Sequence, residues 1–141
     1  MVACSQDHGF AGREEVRMAE MDGEVYLQRI SCEYLEVLRG KLQECGVDIE
    51  RSYRSEREDW IQTMVAAGMG VCFLPEYAAT LPGLVLRPVV APVVRRRVCL
   101  VTVAGRRWSS PVAAFVRAIR AYNWPDSEED AHEDMREPEP A

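Results

Sequence analysis

Residues 55–77, SEREDWIQTMVAAGMGVCFLPEY, constrain this chain more than any other stretch, because they spell a helix, a glycine stop and a buried strand in immediate succession. Ser55 and Glu58 stand at capping-box spacing, where a hydroxyl accepts a backbone N–H of the first helical turn and a carboxylate reaches back to the cap. Ile61, Met64 and Val65 follow at intervals of three and four, which makes one face of the predicted helix apolar. Gly68 and Gly70 end it, since glycine adopts left-handed dihedrals at little cost. Residues 71–74 then form a continuous apolar run of strand length closed by Pro75, the pattern of a central parallel strand covered on both faces. A helix feeding a buried strand points to an α/β fold.

The same reading predicts strands near residues 2–4, 25–29, 49–54, 70–74, 84–89 and 98–103. Helices are expected over 15–21, 32–45, 56–67 and 111–122, with a single helical turn after Pro75. In the helix 32–45, Ser31 is the expected cap, Leu35, Leu38, Leu42 and Cys45 share one side, and Gly46 is the stop. Gly40 inside it costs about 1 kcal/mol relative to alanine. The final helix has Ser110 as its expected cap and Pro111 at its first position. Its apolar face is Val112, Phe115, Val116, Ile119 and Tyr122.

No apolar run approaches the eighteen or so residues of a membrane span, and the N-terminus lacks the layout of a signal peptide, so a cytoplasmic location and no membrane partner are expected. The five cysteines show no C-x-x-C spacing, which argues against a disulfide framework and a zinc site. Cys4, Cys72 and Cys99 lie in apolar strand runs and read as small core residues. The net charge of −6 hides three blocks: −7 over residues 1–76, +8 over residues 77–124, which hold eight arginines and no acid, and −7 over residues 125–141. The last block, PDSEEDAHEDMREPEPA, has no apolar periodicity and is expected to be a disordered acidic tail that solubilises the chain or shields the arginines.

Several quoted segments together carry a family resemblance. They are QDHGF near the start, MDGEVYLQR at the entry to the second lobe, SERED leading into MVAAGMGVCFLPEY, the arginine-led RRRVCLVTV, and the closing SSPVAAFVRAIRAY. In this order they resemble the effector-binding region of LysR-type transcriptional regulators, with Gly9 where the family usually has proline, and Val25 and Tyr26 in place of its proline and aromatic. The resemblance covers residues 1–124 and implies one lobe of a type 2 periplasmic-binding-protein-like sensor. Residues 1–99 would be its second lobe and residues 100–124 the return to the first, followed by the tail 125–141. It further implies a small-molecule effector, homo-oligomers, and DNA contact only through a helix-turn-helix absent from this chain. Because the last helix packs on the first lobe in that family, its apolar face here is expected to promote self-association. The family also pairs the helix matching residues 56–67, with Trp60 off its apolar stripe, against a partner subunit.

The candidate ligand site is the junction after Arg29, where a strand end meets a helix N-terminus with free N–H groups and partial positive charge. Arg29, Ser31 and Cys32 would bind a carboxylate, and the resemblance extends the effector site to Glu33, Tyr34 and Pro75. The plainer alternative is that Ser31 only caps, Arg29 only pairs with an acid, and Glu33 satisfies the helix dipole. Cys32 admits a thiol redox-sensing alternative, since a helix N-terminus favours thiolate and peroxide-sensing relatives carry a reactive cysteine in a similar place. The next cysteine, Cys45, is about 20 Å away along the same helix, which opposes a direct bridge. A stand-alone small-molecule binder is the other alternative.

No enzyme, cofactor or metal is expected. Glu56, Glu58 and Asp59 sit in a first helical turn, where acids are favoured by the dipole alone. His8 and His132 build no catalytic triad, and there is no phosphate-binding glycine loop. Arg95, Arg96, Arg97, Arg106 and Arg107 could hold phosphates, but they flank an apolar run and lack a recognition helix.

Overall fold

Contacts divide the chain into two compact units, Met1–Arg97 and Val98–Ala141, in a computed structural model that describes residues 1–96 and 98–124 and, for residues 50–52, the backbone alone. The first unit runs β1 (Val2–Ser5), β2 (Val16–Arg17), a 3-10 turn (Met18–Met21), β3 (Val25–Arg29), α1 (Leu35–Glu44), β4 (Glu50–Ser55), α2 (Glu58–Ala66), β5 (Cys72–Phe73), β6 (Leu84–Arg87) and β7 (Val89–Val90). The second holds an irregular segment and α3 (Ser110–Ala121).

The apolar run after α2 is central, as its composition demands. On one side β5 pairs antiparallel with β1, which is flanked on its other edge by antiparallel β6. On the other side Val71 bridges Tyr26 of β3 in parallel, with the Val71 N–H donating to Val25 O and the Leu27 N–H donating to Val71 O, each at 2.9 Å. Beyond it β3 pairs in parallel with β4, through a register shift between Tyr26 and Leu27. Val2, Ala3, Cys4, Leu27, Ile61, Val65, Val71 and Cys72 are fully buried together. Each such valine, leucine or isoleucine contributes on the order of 1.5–3 kcal/mol of hydrophobic stabilisation.

Gly68 closes α2 with paired bonds, its own N–H to Val65 O and the Met69 N–H to Met64 O, while adopting a φ of +75°. Gly70 is required for a different reason: at φ +155° a Cβ would lie 2.3 Å from Val25 O, so only glycine lets the chain approach β3 closely enough for the Val71 bridge. At the other helix, Gly46 follows α1 with the same pair of bonds, to Gln43 O and from Val47 to Leu42 O.

Several boundaries differ from the sequence reading. Helix α1 begins at Leu35 with Tyr34 as its N-cap, not at Cys32 behind Ser31, because residues 30–34 are spent on a turn in which the Leu35 N–H reaches Cys32 O. Helix α2 starts at Glu58 behind Arg57, and no capping box forms: Ser55 Oγ accepts the Arg57 N–H at 3.0 Å, while Glu58 is drawn to Arg29. The expected helix 15–21 becomes β2 and the 3-10 turn, and Pro88 splits the expected strand 84–89 into β6 and β7. The turn after Pro75 is one hydrogen-bonded turn, Ala78 N–H to Pro75 O.

In the second unit the predicted strand 98–103 does not form. It finds no partner edge among the described residues, and Val98 and Val101 are 83% and 86% exposed. Cys99 is consequently exposed instead of a core residue. Helix α3 is capped by Ser109 and not Ser110, with Pro in its first turn. Val116 is buried, whereas Val112 and Phe115 stand open. The acidic tail lies outside the described residues.

Candidate functional site

Arg29 ends β3 with its side chain nearly buried, and its Nη2 donates to Glu58 Oε2 at 2.6 Å in the first turn of α2. The same corner is tied in the backbone, where the Ile30 N–H donates to Ser55 O at the end of β4. Glu58 accepts a second bond, through Oε1, from the amide of Gln62 one turn along the helix. Gln62 is itself buried and fully engaged: its amide also donates to Ala78 O at 2.9 Å, and its Oε1 accepts the Thr80 N–H at 2.9 Å and the Thr80 hydroxyl at 3.3 Å. A polar chain therefore runs from Arg29 through Glu58 and Gln62 to the loop opened by Pro75. The backbone partners fix which end of the Gln62 amide is oxygen.

One donor in this corner is unanswered, and a second belongs to the preceding residue of β3, whose side chain leaves the strand on the opposite face. Arg29 Nε and Gln28 Nε2 are buried without a hydrogen-bond partner among the described residues. A buried donor left unpaired costs about 1–3 kcal/mol, which makes a site for an acceptor favourable here.

The predicted site residues distribute around this corner. Arg29 lies at one end of the polar chain, and Pro75 opens the loop whose Ala78 and Thr80 form the other end. Ser31 is exposed in the turn, and Cys32 is half-buried. Glu33 is exposed and accepts from Arg96, and its carboxyl is held below the usual range first by its own backbone N–H and then by that guanidinium. Tyr34 is half-buried and gives its carbonyl to the Leu38 N–H. The two acids of the first turn of α2 separate in role, since Asp59 pairs with Arg57 at 2.5 Å and Glu58 with Arg29, and Arg57 lies 5.3 Å from the Trp60 ring; Glu56 falls outside the helix.

Beneath the corner the chemistry is inert. Burial pushes the Cys72 thiol up to about 12, and pushes the Tyr26 phenol upward as well, with Arg29 and Cys32 close enough to act on both. Burial also raises Cys4. Among the described residues no group of three or more His, Cys, Asp or Glu could hold a metal. An opening of about 300 Å³ lies away from the predicted residues, lined by Ser5, Asp7, His8, Ala66, Ala67 and Gly68. His8 there accepts the Phe10 N–H through Nδ1 and meets Glu24 at 3.3 Å, so its ring is committed to the loop.

Sequence reasoning missed Glu58 and Gln62 as parts of this corner. Gln62 did leave a signal: it follows Ile61 directly, one position from the apolar stripe, where a buried amide must find partners.

Residues 1–124 match the LysR substrate binding domain family. The DNA-binding transcriptional dual regulator OxyR of Escherichia coli K12 is 32% identical over 126 residues, covering 86% of this chain and 41% of the relative. The hydrogen peroxide-inducible genes activator of Dickeya chrysanthemi is 33% identical over 78 residues, covering 55% and 26%. The chain thus spans about two fifths of the length of the first of these. Among solved structures, the Synechocystis PCC6803 CcmR regulatory domain in complex with 2-PG superposes with a TM-score of 0.70 at 18% identity, over 85% of this chain and 60% of that one. The reduced form of OxyR superposes with a TM-score of 0.57 at 30% identity, over 84% and 55%.

Proposed function

This chain belongs to the LysR substrate-binding domain family, and from that premise we propose that it senses a small anionic effector at the corner formed by Arg29, Ser31, Cys32, Glu33, Tyr34 and Pro75. The family match places it among regulators and not enzymes. The observation that carries the reading is the nearly buried Arg29 guanidinium, with an unanswered Nε and a single acid, Glu58, against its Nη2. A carboxylate or phosphate arriving at the turn would take the free N–H and compete with Glu58, giving a charge-assisted pair in a shielded setting. Glu58 is tied through Gln62 to the Pro75 loop, so its release would be felt on both sides of the corner. In the parent regulator this would bias a clamp between open and closed states and so the DNA-bound homo-oligomer, with DNA held by a helix-turn-helix outside these residues, in the cytoplasm.

Calorimetric titration with a panel of small carboxylates and phosphates tests this. Arg29→Gln is expected to abolish binding of any anion the wild type takes. Glu58→Gln, which removes the competing acid and keeps the shape, is expected to tighten it. Unchanged affinity in both variants removes the corner as the site.

A thiol-sensing reading is favoured by one observation, that Cys32 lies in the same turn. Cys45 caps the far end of α1, a ten-residue helix about 15 Å long, so a bridge needs that helix to unfold. Mild peroxide treatment followed by mass spectrometry decides it: oxidation at Cys32 supports this reading, and an unmodified Cys32 dismisses it.

A further inference from the structure

We propose that the second unit carries a docking surface for the chain's own acidic C-terminal segment, residues 126–139. Between Val98 and Trp124 there are four arginines, Arg106, Arg107, Arg117 and Arg120, and no acid. Among the described residues none of the four meets a carboxylate. Three of them are brought together, because Arg120 on α3 lies 5.9 Å from the ring of Trp108, which directly follows Arg106 and Arg107 in the chain. An open, mainly apolar cavity of about 580 Å³ carries Arg106, Arg107, Trp108 and Ser109 in its wall, beside Val112 and Phe115 of α3 and residues 100–103. The N-terminus of α3 opens into the same place, with no acidic residue in its first turn and no side-chain cap from Ser109, so its partial positive charge is also unanswered.

The occupant that fits is covalently attached. Residues 126–139 hold eight acids and one base and follow α3 after a few residues. Helix α3, twelve residues long, spans about 18 Å, and the seventeen residues after Trp124 reach at most about 55 Å, ample to run back along α3 to its N-terminus. Tethering at this length gives an effective concentration in the millimolar range, so individually modest arginine–carboxylate pairs suffice. A second copy of this face is a poor occupant, since it would set the same four arginines against themselves.

The test uses the full chain and a tail-neutral variant carrying Asp126→Asn, Glu128→Gln, Glu129→Gln, Asp130→Asn, Glu133→Gln and Asp134→Asn. The indole N–H signal of Trp108, assigned with Trp108→Phe, is expected to differ between the two at low salt. The wild-type signal should move to the tail-neutral position between about 0.01 and about 1 M salt, as the screening length falls from about 30 to about 3 Å. Amides of the first turns of α3 should exchange about tenfold faster in the variant, independently of protein concentration. Arg106→Glu with Arg107→Glu should reproduce the loss, and adding Glu128→Arg with Glu129→Arg should restore the wild-type signal. Identical Trp108 signals and exchange in wild type and variant overturn the proposal. So does a difference that grows with concentration, which would assign the tail to another molecule. Equal binding of a single-stranded DNA by wild type and tail-neutral chains at low salt overturns it as well, because a docked tail must compete for the arginines.

Discussion

The two units of this molecule contain apolar runs of the same character and treat them in opposite ways. In β1 and in residues 71–74, every side chain is buried, whereas VCLVTV at residues 98–103 is open and irregular. Composition does not separate them, since valine, leucine and cysteine dominate both. The difference is a waiting edge. Residues 71–73 find β1 on one side and β3 on the other, so their backbone groups are satisfied while their side chains leave water. Ordering one residue costs about 1–2 kcal/mol, and burial of a large apolar side chain returns about 1.5–3. Without an edge and without burial, residues 98–103 have only the cost.

The largest effect should come from removing matched pieces of the two units. Ile61→Ala, at a fully buried position of α2, is expected to lose about 2–5 kcal/mol, while Phe115→Ala, 61% exposed on α3, should change stability by less than about 0.5. Urea unfolding of both variants measures this. A cost for Phe115→Ala approaching that for Ile61→Ala would mean that the α3 face is covered in solution, and the contrast between the units would fail. Next in size is Gly70→Ala, which places a Cβ 2.3 Å from Val25 O at a φ that L residues avoid. It is expected to cost about 3 kcal/mol and to loosen the β3 bridge, seen as faster exchange of the Val71 amide. Wild-type stability and protection in this variant would show that the close approach of the two strands is dispensable.

These contrasts also mark what could be read from the residues alone. The fold of the first unit was legible because its signals are local: the Ile61 and Val65 stripe, the stops at Gly46 and Gly68, and the unbroken run 71–74 each specify one element without knowledge of the rest. Residues 98–103 carry an equally strong strand signal, and it misled because strand formation depends on a partner that periodicity cannot report. The corner was half legible. Arg29 and Pro75 were singled out, but Glu58 matched the capping-box spacing and was read as a cap, while its true partner lies twenty-nine residues earlier. A long-range ion pair leaves no local trace. The buried Gln62 did, since an amide within an apolar helix face signals a hydrogen-bond network.

A smaller effect, about 1.4 kcal/mol one pH unit above 9, distinguishes the buried core of the first unit by pH. Cys72 is raised from 9.0 to about 12 by burial, so the folded state keeps a proton that the unfolded chain releases. The stability this contributes is complete below pH 9 and is lost as pH rises toward 12, with a slope of at most about 1.4 kcal/mol per pH unit. Cys4, also raised, acts in the same direction. Cys72→Ala should lower stability at pH 7 yet flatten the alkaline slope. A slope equal to wild type in that variant would mean that Cys72 is not enclosed.

The smallest expected effect sets a second glycine of the first unit against Gly70. Gly40 lies inside α1, and a Cβ there meets nothing within 4 Å. It has neither a close approach nor a positive φ to justify it, so its only contribution is the backbone freedom it gives the unfolded chain. Gly40→Ala is therefore expected to stabilise by about 0.5–1 kcal/mol, opposite in sign to Gly70→Ala although both glycines lie in the same unit. Thermal and urea unfolding read the same quantity. Should Gly40→Ala destabilise instead, the outer face of α1 must be pressed against something in solution, and a methyl group at residue 40 would be the probe with which to find it.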